Sequence, residues 1–132
     1  MRLLYSFLIT AFSITSFNIY QQKPLEQSIA NGKEIYTDFC IQCHMANGEG
    51  VKGARPPLAK SDYLNNIDQS IHAIKYGLRG PIKVNGVSYN SNMINQGLDE
   101  EEIAGVMNYI LNSWGNSSTV IITEEKVASI KK

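Results

Sequence analysis

Cysteine is scarce in this chain of 132 residues: there are two. That excludes the disulfide-dense scaffold of small secreted domains. Histidine is equally scarce, with two, and tryptophan occurs once. Neither sign of charge is in excess, since twelve basic residues balance twelve acidic ones. A nucleic-acid binder carries a basic surplus, so the balance argues against that class. No internal repeat is evident, which argues against a solenoid. What remains is 43% hydrophobic and 18% charged, the make-up of one globular domain. Without its front segment the chain keeps about 110 residues, enough for an adequate but not generous core. A bound cofactor would add apolar volume.

The front reads MRLLYSFLITAFSITSFNIY. Arg2 is followed by no charge until Lys23, the pattern of a secretory signal. Residues 3–20 approach the minimum length for crossing a bilayer, but Ser6, Thr10, Ser13, Thr15, Ser16 and Asn18 interrupt them. A cleaved signal is favoured, with an uncleaved membrane tether through residues 3–20 as the alternative. The chain divides into a signal or anchor at 1–22, a domain at 23–116 and a polar C-terminal tail at 117–132. Export would place the protein in the periplasm, an oxidising compartment where a lone reduced cysteine pair needs a reason to persist.

Ile29, Gly32, Ile35, Tyr36 and Phe39 recur at spacings of three and four, which predicts a helix over 28–39 that runs into Cys40. Residues 45–57 are rich in glycine and proline and predict a loop. A second helix is expected from about Asp68, ending at Gly77. In IKVNGVSY, residues 82–89, Asn85-Gly86 between alternating flanks predicts a hairpin. Asp99 with Glu102 three residues later is a capping box. It opens a helix whose stripe is Ile103, Val106, Met107, Ile110 and Leu111. The tail adds a short apolar run at Val120 to Ile122 and one further helical turn.

Both cysteines lie in CIQCH, residues 40–44, so one of the two histidines follows Cys43 directly. Three chemistries use such a pair. A closed zinc site needs four ligands; only Cys40, Cys43, His44 and His72 are on offer, and adjacent Cys43 and His44 would crowd one ion. A thioredoxin-like redox pair follows a strand, whereas a helix precedes this one. Covalent haem c uses C-x-x-C-H as its attachment signature. Two thiols one helical turn apart suit two vinyl groups of a single porphyrin, and the next residue's imidazole comes up under the iron. Haem fits best, and export agrees with it.

A sixth iron ligand has several candidates. Met45 is too close to the motif, Met107 belongs to an apolar stripe, and His72 lies within a helix. Met93 sits in the polar loop YNSNMINQG with no stripe to join. Methionine–histidine ligation raises the potential of haem iron and fills the coordination sphere, which favours electron transfer over oxygen chemistry.

Beyond CIQCH, the pieces NGEG, RPPLAKSDYL, GLRGPIKVNGVSYNSNM and GLDEEEIAGVMNYILNSWGN follow in order. Over residues 28–116 the chain resembles the class I c-type cytochromes, in particular bacterial single-haem cytochromes and the cytochrome domains attached to periplasmic oxidoreductases. The resemblance implies an all-α, cytochrome c-like domain wrapped around one covalent haem c, with a short hairpin before the distal-ligand loop. It implies thioether attachment at Cys40 and Cys43, with His44 proximal and Met93 distal. The Pro56 carbonyl would accept a hydrogen bond from the proximal histidine and fix its ring. Arg55 and Trp114 fall where the family often places partners of the haem propionates, and Gly32 and Tyr109 where its terminal helices cross. The family commonly has proline after the distal methionine; here Ile94 stands there, so the loop is less rigid.

The implied function is that of a periplasmic one-electron carrier, not an enzyme in itself, between a donor such as a dehydrogenase and an oxidase or reductase. The alternative is a five-coordinate haem protein that binds a small ligand or acts like a peroxidase, with Met93 unbonded. Lys52, Arg55, Lys60, Lys75, Arg79 and Lys83 lie between the motif and the hairpin, while Asp99 to Glu102, Glu124 and Glu125 lie behind. If the basic group rings the haem edge it would steer an acidic partner. A mixed, solvated surface is the competing reading.

Overall fold

A computed structural model describes residues 24–132; the segment 1–22, read as signal or anchor, lies outside the described residues. Among these, no helix is long and apolar enough to cross a membrane.

The first helix, α1, covers residues 24–44 in three pieces. An α-helix over 24–35 passes into a π-turn at Tyr36–Cys40 and a final α-helical turn at Ile41–His44. Gly32 and Tyr36 are buried, as the spacing predicts, but Phe39 is 42% exposed. The π-turn explains the difference. The Ile41 amide donates to the Tyr36 carbonyl five residues back, and the wider turn changes the phase of everything after it. Phe39 leaves the core face, and His44 arrives on it.

A loop and a 3-10 turn at Asp62–Asn65 lead to α2, Ile67–Tyr76. The Asn66 side chain accepts from the Gln69 amide at 3.0 Å and caps its start. Strands β1, Ile82–Val84, and β2, Val87–Tyr89, pair antiparallel with Ile82 opposite Tyr89 and Val84 opposite Val87. Asn85 and Gly86 make the turn at φ 49° and 79°, as this hairpin type requires. Helix α3, Glu100–Leu111, opens on the expected capping box: Asp99 accepts from the Glu102 amide and Glu102 accepts from the Asp99 amide, both at 2.9 Å. A short helix α4, Glu124–Ser129, closes the chain. The fold is the helical one expected, with its single hairpin.

The core gathers Tyr36, Leu64 and Ile71 around the α3 stripe of Ile103, Val106, Met107, Ile110 and Leu111. Helices α1 and α3 cross at two glycines, where an added Cβ on Gly32 would sit 1.9 Å from the Gly105 carbonyl oxygen. Tyr109, expected to face Gly32, stacks instead on Tyr36 with ring centroids 5.5 Å apart, one turn along the same crossing. The segment after residue 116 folds back onto the domain and buries Ile122 and Val127 in the core. Asn108, fully buried on α3, holds it there: its amide donates to the Ile122 carbonyl and its oxygen accepts from the Ile122 amide, both at 2.9 Å.

Candidate functional site

The last turns of α1, the loop 45–57, the end of α2, the hairpin and the loop 90–98 surround one cleft. Its inner part is lined by Cys40, His44, Pro56, Leu58, Tyr63, Leu64, Ile74, Leu78, Ile82, Val84, Met93 and Met107, among others. Its outer part opens past Phe39, Gln42, Cys43, Arg55, Asn92, Ile94 and Gln96. His44, Cys40, Pro56 and Met93 line both parts. Among the described residues no carboxylate lines either part, and Arg55 is the one residue there with a permanent charge.

His44 is 8% exposed. Burial holds its pKa below the ordinary histidine value; the bond to the Pro56 carbonyl opposes that shift, and the nearby Arg55 charge adds to it. The ring is therefore held neutral. The Nδ1–H donates to the Pro56 carbonyl at 3.0 Å, which leaves the Nε2 lone pair as the free, basic nitrogen. The loop that brings Pro56 round is tied at several points. The Gly50 amide donates to the His44 carbonyl at 3.0 Å, Val51 bridges to Arg55, and Leu58 and Ala59 donate to the Gly48 carbonyl.

Cys40 is half-buried and Cys43 exposed, and both are free thiols. Burial, reinforced by Cys43 close by, pushes the Cys40 thiol up to about 11, so it is protonated at neutral pH. Among the described residues no three His, Cys, Asp or Glu side chains gather as ligands for a metal ion, so the zinc alternative has no ligand set. His72 packs its ring on Tyr76 at 5.0 Å, and Met107 is fully buried in the core.

Met93 enters the cleft from a backbone held in place. Its amide donates to the Leu78 carbonyl at 2.9 Å and its carbonyl accepts from the Leu78 amide at 2.8 Å. Ile94 turns outward and is 66% exposed. The proline missing after Met93 is thus matched by a backbone bridge on its other side.

The structure brings Cys40, Cys43, His44, Pro56, Arg55 and Met93 to one cleft. Trp114 is the exception. It packs against Tyr36 and, edge-on, against Tyr109, with ring centroids 4.9 and 5.3 Å away, and its ring occupies the space a Cβ on Gly48 would need, outside the cleft lining. There it backs the loop that follows His44 rather than any group in the cleft. Tyr63, which the motifs did not single out, lines the inner wall, and its hydroxyl is buried without a hydrogen-bond partner. Gln69 stands near enough to offset part of its burial-raised pKa but makes no hydrogen bond in good geometry. An apolar cleft with paired thiols, a basic buried imidazole, a thioether and an orphaned hydroxyl fits an iron porphyrin bearing carboxylate arms.

Comparison with known proteins agrees. The cytochrome c family signature matches residues 29–114. Cytochrome c-552 of Thermus thermophilus is 40% identical over 97 residues, covering 69% of this chain and 73% of that protein. The gluconate 2-dehydrogenase cytochrome c subunit of Pantoea cypripedii is 30% identical over 106 residues, 76% of this chain but 24% of that protein. The cbb3-type cytochrome c oxidase subunit FixP of Bradyrhizobium diazoefficiens is 32% identical over 87 residues, 61% of this chain and 29% of that protein. With its fold, its C-x-x-C-H cleft and these relatives in agreement, the chain belongs to the cytochrome c family, whose members carry haem c and pass single electrons.

Proposed function

We propose that this chain is an exported one-electron carrier, with haem c attached at Cys40 and Cys43 and its iron held by His44 and Met93. One observation carries the reading: a neutral, buried His44, oriented by Pro56, shares a carboxylate-free apolar cleft with Met93 and both cysteines. When bound, the group supplies a reversible ferrous–ferric couple. The residues of the chain do the rest. Pro56 keeps the His44 ring in one tautomer and one orientation, so its Nε2 is a pre-set ligand. The Cys40 and Cys43 thiols would supply the sulfur for the thioether bonds at the mouth. Leu58, Leu64, Ile74, Ile82 and Val84 exclude water and lower the local dielectric, and that burial together with a thioether ligand raises the potential. On this reading the chain is an electron carrier and not an enzyme in itself.

The periplasm is the proposed location because residues 1–22 read as an export segment and haem c is attached after export. A dehydrogenase or oxidase is the proposed partner class, supported by relatives that are cytochrome subunits of a gluconate dehydrogenase and of a cbb3-type oxidase. The reciprocal Leu78–Met93 bonds favour a held methionine over the five-coordinate alternative.

The test is the visible spectrum of the exported protein, oxidised and reduced, before and after Met93→Ala. A low-spin c-type spectrum whose far-red methionine–iron band vanishes in the variant is expected. A spectrum without that band, indifferent to the substitution and with carbon monoxide binding to the reduced form, would remove Met93 from the iron.

A further inference from the structure

We propose that the C-terminal segment is a positioning element for the distal ligand: through Lys75 and Tyr76, α4 fixes the end of α2 from which the Met93 backbone is hung. The inference rests on the reading of Met93 as an iron ligand.

The connection is short and continuous. The Tyr76 hydroxyl donates to the Ile130 carbonyl at 2.9 Å. The Lys75 ammonium donates to the Val127 carbonyl at 3.0 Å and reaches the Ile130 carbonyl at 3.5 Å. It also pairs with Glu100 at the start of α3, at 3.2 Å. The Lys75 side chain is only 15% exposed, so these bonds are shielded and weaken little in salt. Directly after Tyr76 the chain reverses at Gly77, and Leu78 then exchanges two backbone bonds with Met93. One residue therefore separates the turn gripped by α4 from the residue that holds Met93.

The grip is itself anchored. Val127 is fully buried, Ile122 nearly so, and the two Asn108 bonds to Ile122 tie the segment to α3. Helix α4 packs on α3 more extensively than on any other element. Helix α3 also supplies Met107 and Ile110 to the inner wall of the cleft. The segment thus braces the Met93 attachment against the helix that forms the wall of the same cleft. The rest of α2 is fixed independently, by the Asn66 cap and by buried Ile71 and Ala73. Besides the exposed Lys126–Asp68 pair at the start of α2, what α4 adds is restraint at the last turn, where the chain leaves for Met93.

Small-ligand binding to the ferric holoprotein reads this restraint, because imidazole enters the iron only when the methionine leaves it. Tyr76→Phe keeps the ring and deletes one hydrogen bond, so imidazole affinity is expected to rise about fivefold, the worth of one such bond. The methionine–iron band should then bleach at correspondingly lower imidazole. Lys126→Ala loosens the same helix through its pair with Asp68, at the opposite end of α2. It is expected to leave imidazole affinity unchanged even where it lowers the melting temperature. Equal imidazole affinity in Tyr76→Phe and the unmodified protein, with a large rise in Met93→Ala, would overturn the positioning role and keep the ligand. Imidazole affinity and band both indifferent to Met93→Ala would overturn the ligand reading and this inference with it.

Discussion

At the scale of single residues, the clearest constraint is Gly77. Its φ of 82° with ψ of 171° belongs to a region that only glycine occupies without strain. A Cβ there would also meet the Met93 carbonyl oxygen at 2.8 Å, and that oxygen is not free to move because it accepts from Leu78. Gly77→Ala is therefore expected to destabilise the fold by about 1–3 kcal/mol and to weaken the methionine–iron band together with it. Denaturant unfolding followed at that band and at the Soret band measures both; a full loss of stability with an unperturbed methionine band would show that the strain is absorbed elsewhere. The sequence announced Gly77 only as a helix terminator. Its second role depends on Met93, sixteen positions on, and no local pattern carries that. The same limit sorts the site residues. Cys40, Cys43 and His44 were legible because their chemistry is adjacent in sequence. Met93 was reached by elimination among the methionines and His72, Pro56 came from the resemblance, and the packing of Trp114 was not legible because an aromatic residue beside a helix end gives no sign of which loop it covers. Tyr63 left no local signal at all.

At the scale of elements, legibility followed how local the forces are. The α3 capping box and the Asn85-Gly86 turn are written within four residues each, and both formed as read. The π-turn in α1 was not visible, because a helical pattern cannot show where a turn will widen; Phe39 was misplaced for that reason. The back-folded C-terminal segment was hidden too. Its burial depends on Asn108, a polar residue inside an apolar stripe, which in hindsight signalled backbone in need of bonds. The crossing of α1 and α3 was anticipated, but its geometry is asymmetric. A Cβ on Gly32 would overlap the Gly105 backbone at 1.9 Å, whereas a Cβ on Gly105 would find its nearest neighbour, the Ser28 carbonyl oxygen, at 3.4 Å. Gly32→Ala should cost about 3 kcal/mol through forced separation of the helices. Gly105→Ala should be close to neutral, since helix propensity gains up to about 1 kcal/mol. Paired guanidinium titrations of the two variants check this, and similar losses in both would contradict the asymmetric crossing.

At the scale of the whole molecule, the charges divide by function in a way the sequence blurred. Of the six cations expected to steer a partner, Lys75 is committed to Glu100 and to the carbonyls of Val127 and Ile130. Arg79 and Lys83 are exposed, and their neighbours Leu78 and Ile82 line the cleft. Glu101 and Glu102 border a separate pocket shared with the start of α1, and the cleft mouth has no acid of its own. The mouth is flanked by Phe39 and Ile94, 42% and 66% exposed, apolar side chains that a partner docked there would cover. Approach and contact should then separate by salt. Arg79→Glu with Lys83→Glu should slow reduction by an acidic partner roughly threefold or more at low ionic strength, and the effect should vanish near about 0.5 M salt, where exposed charges are screened. Lys75→Gln should leave the salt slope alone, because that ammonium is already spent inside the fold. Ile94→Ser should slow the reaction at every ionic strength, since it removes contact area and no charge. Stopped-flow reduction across a salt series distinguishes these terms. A Lys75→Gln slope as altered as that of the double reversal would mean that the inner ion pair opens to the partner, and an Ile94→Ser effect that disappears in salt would mean that apolar contact at the mouth does not hold the complex.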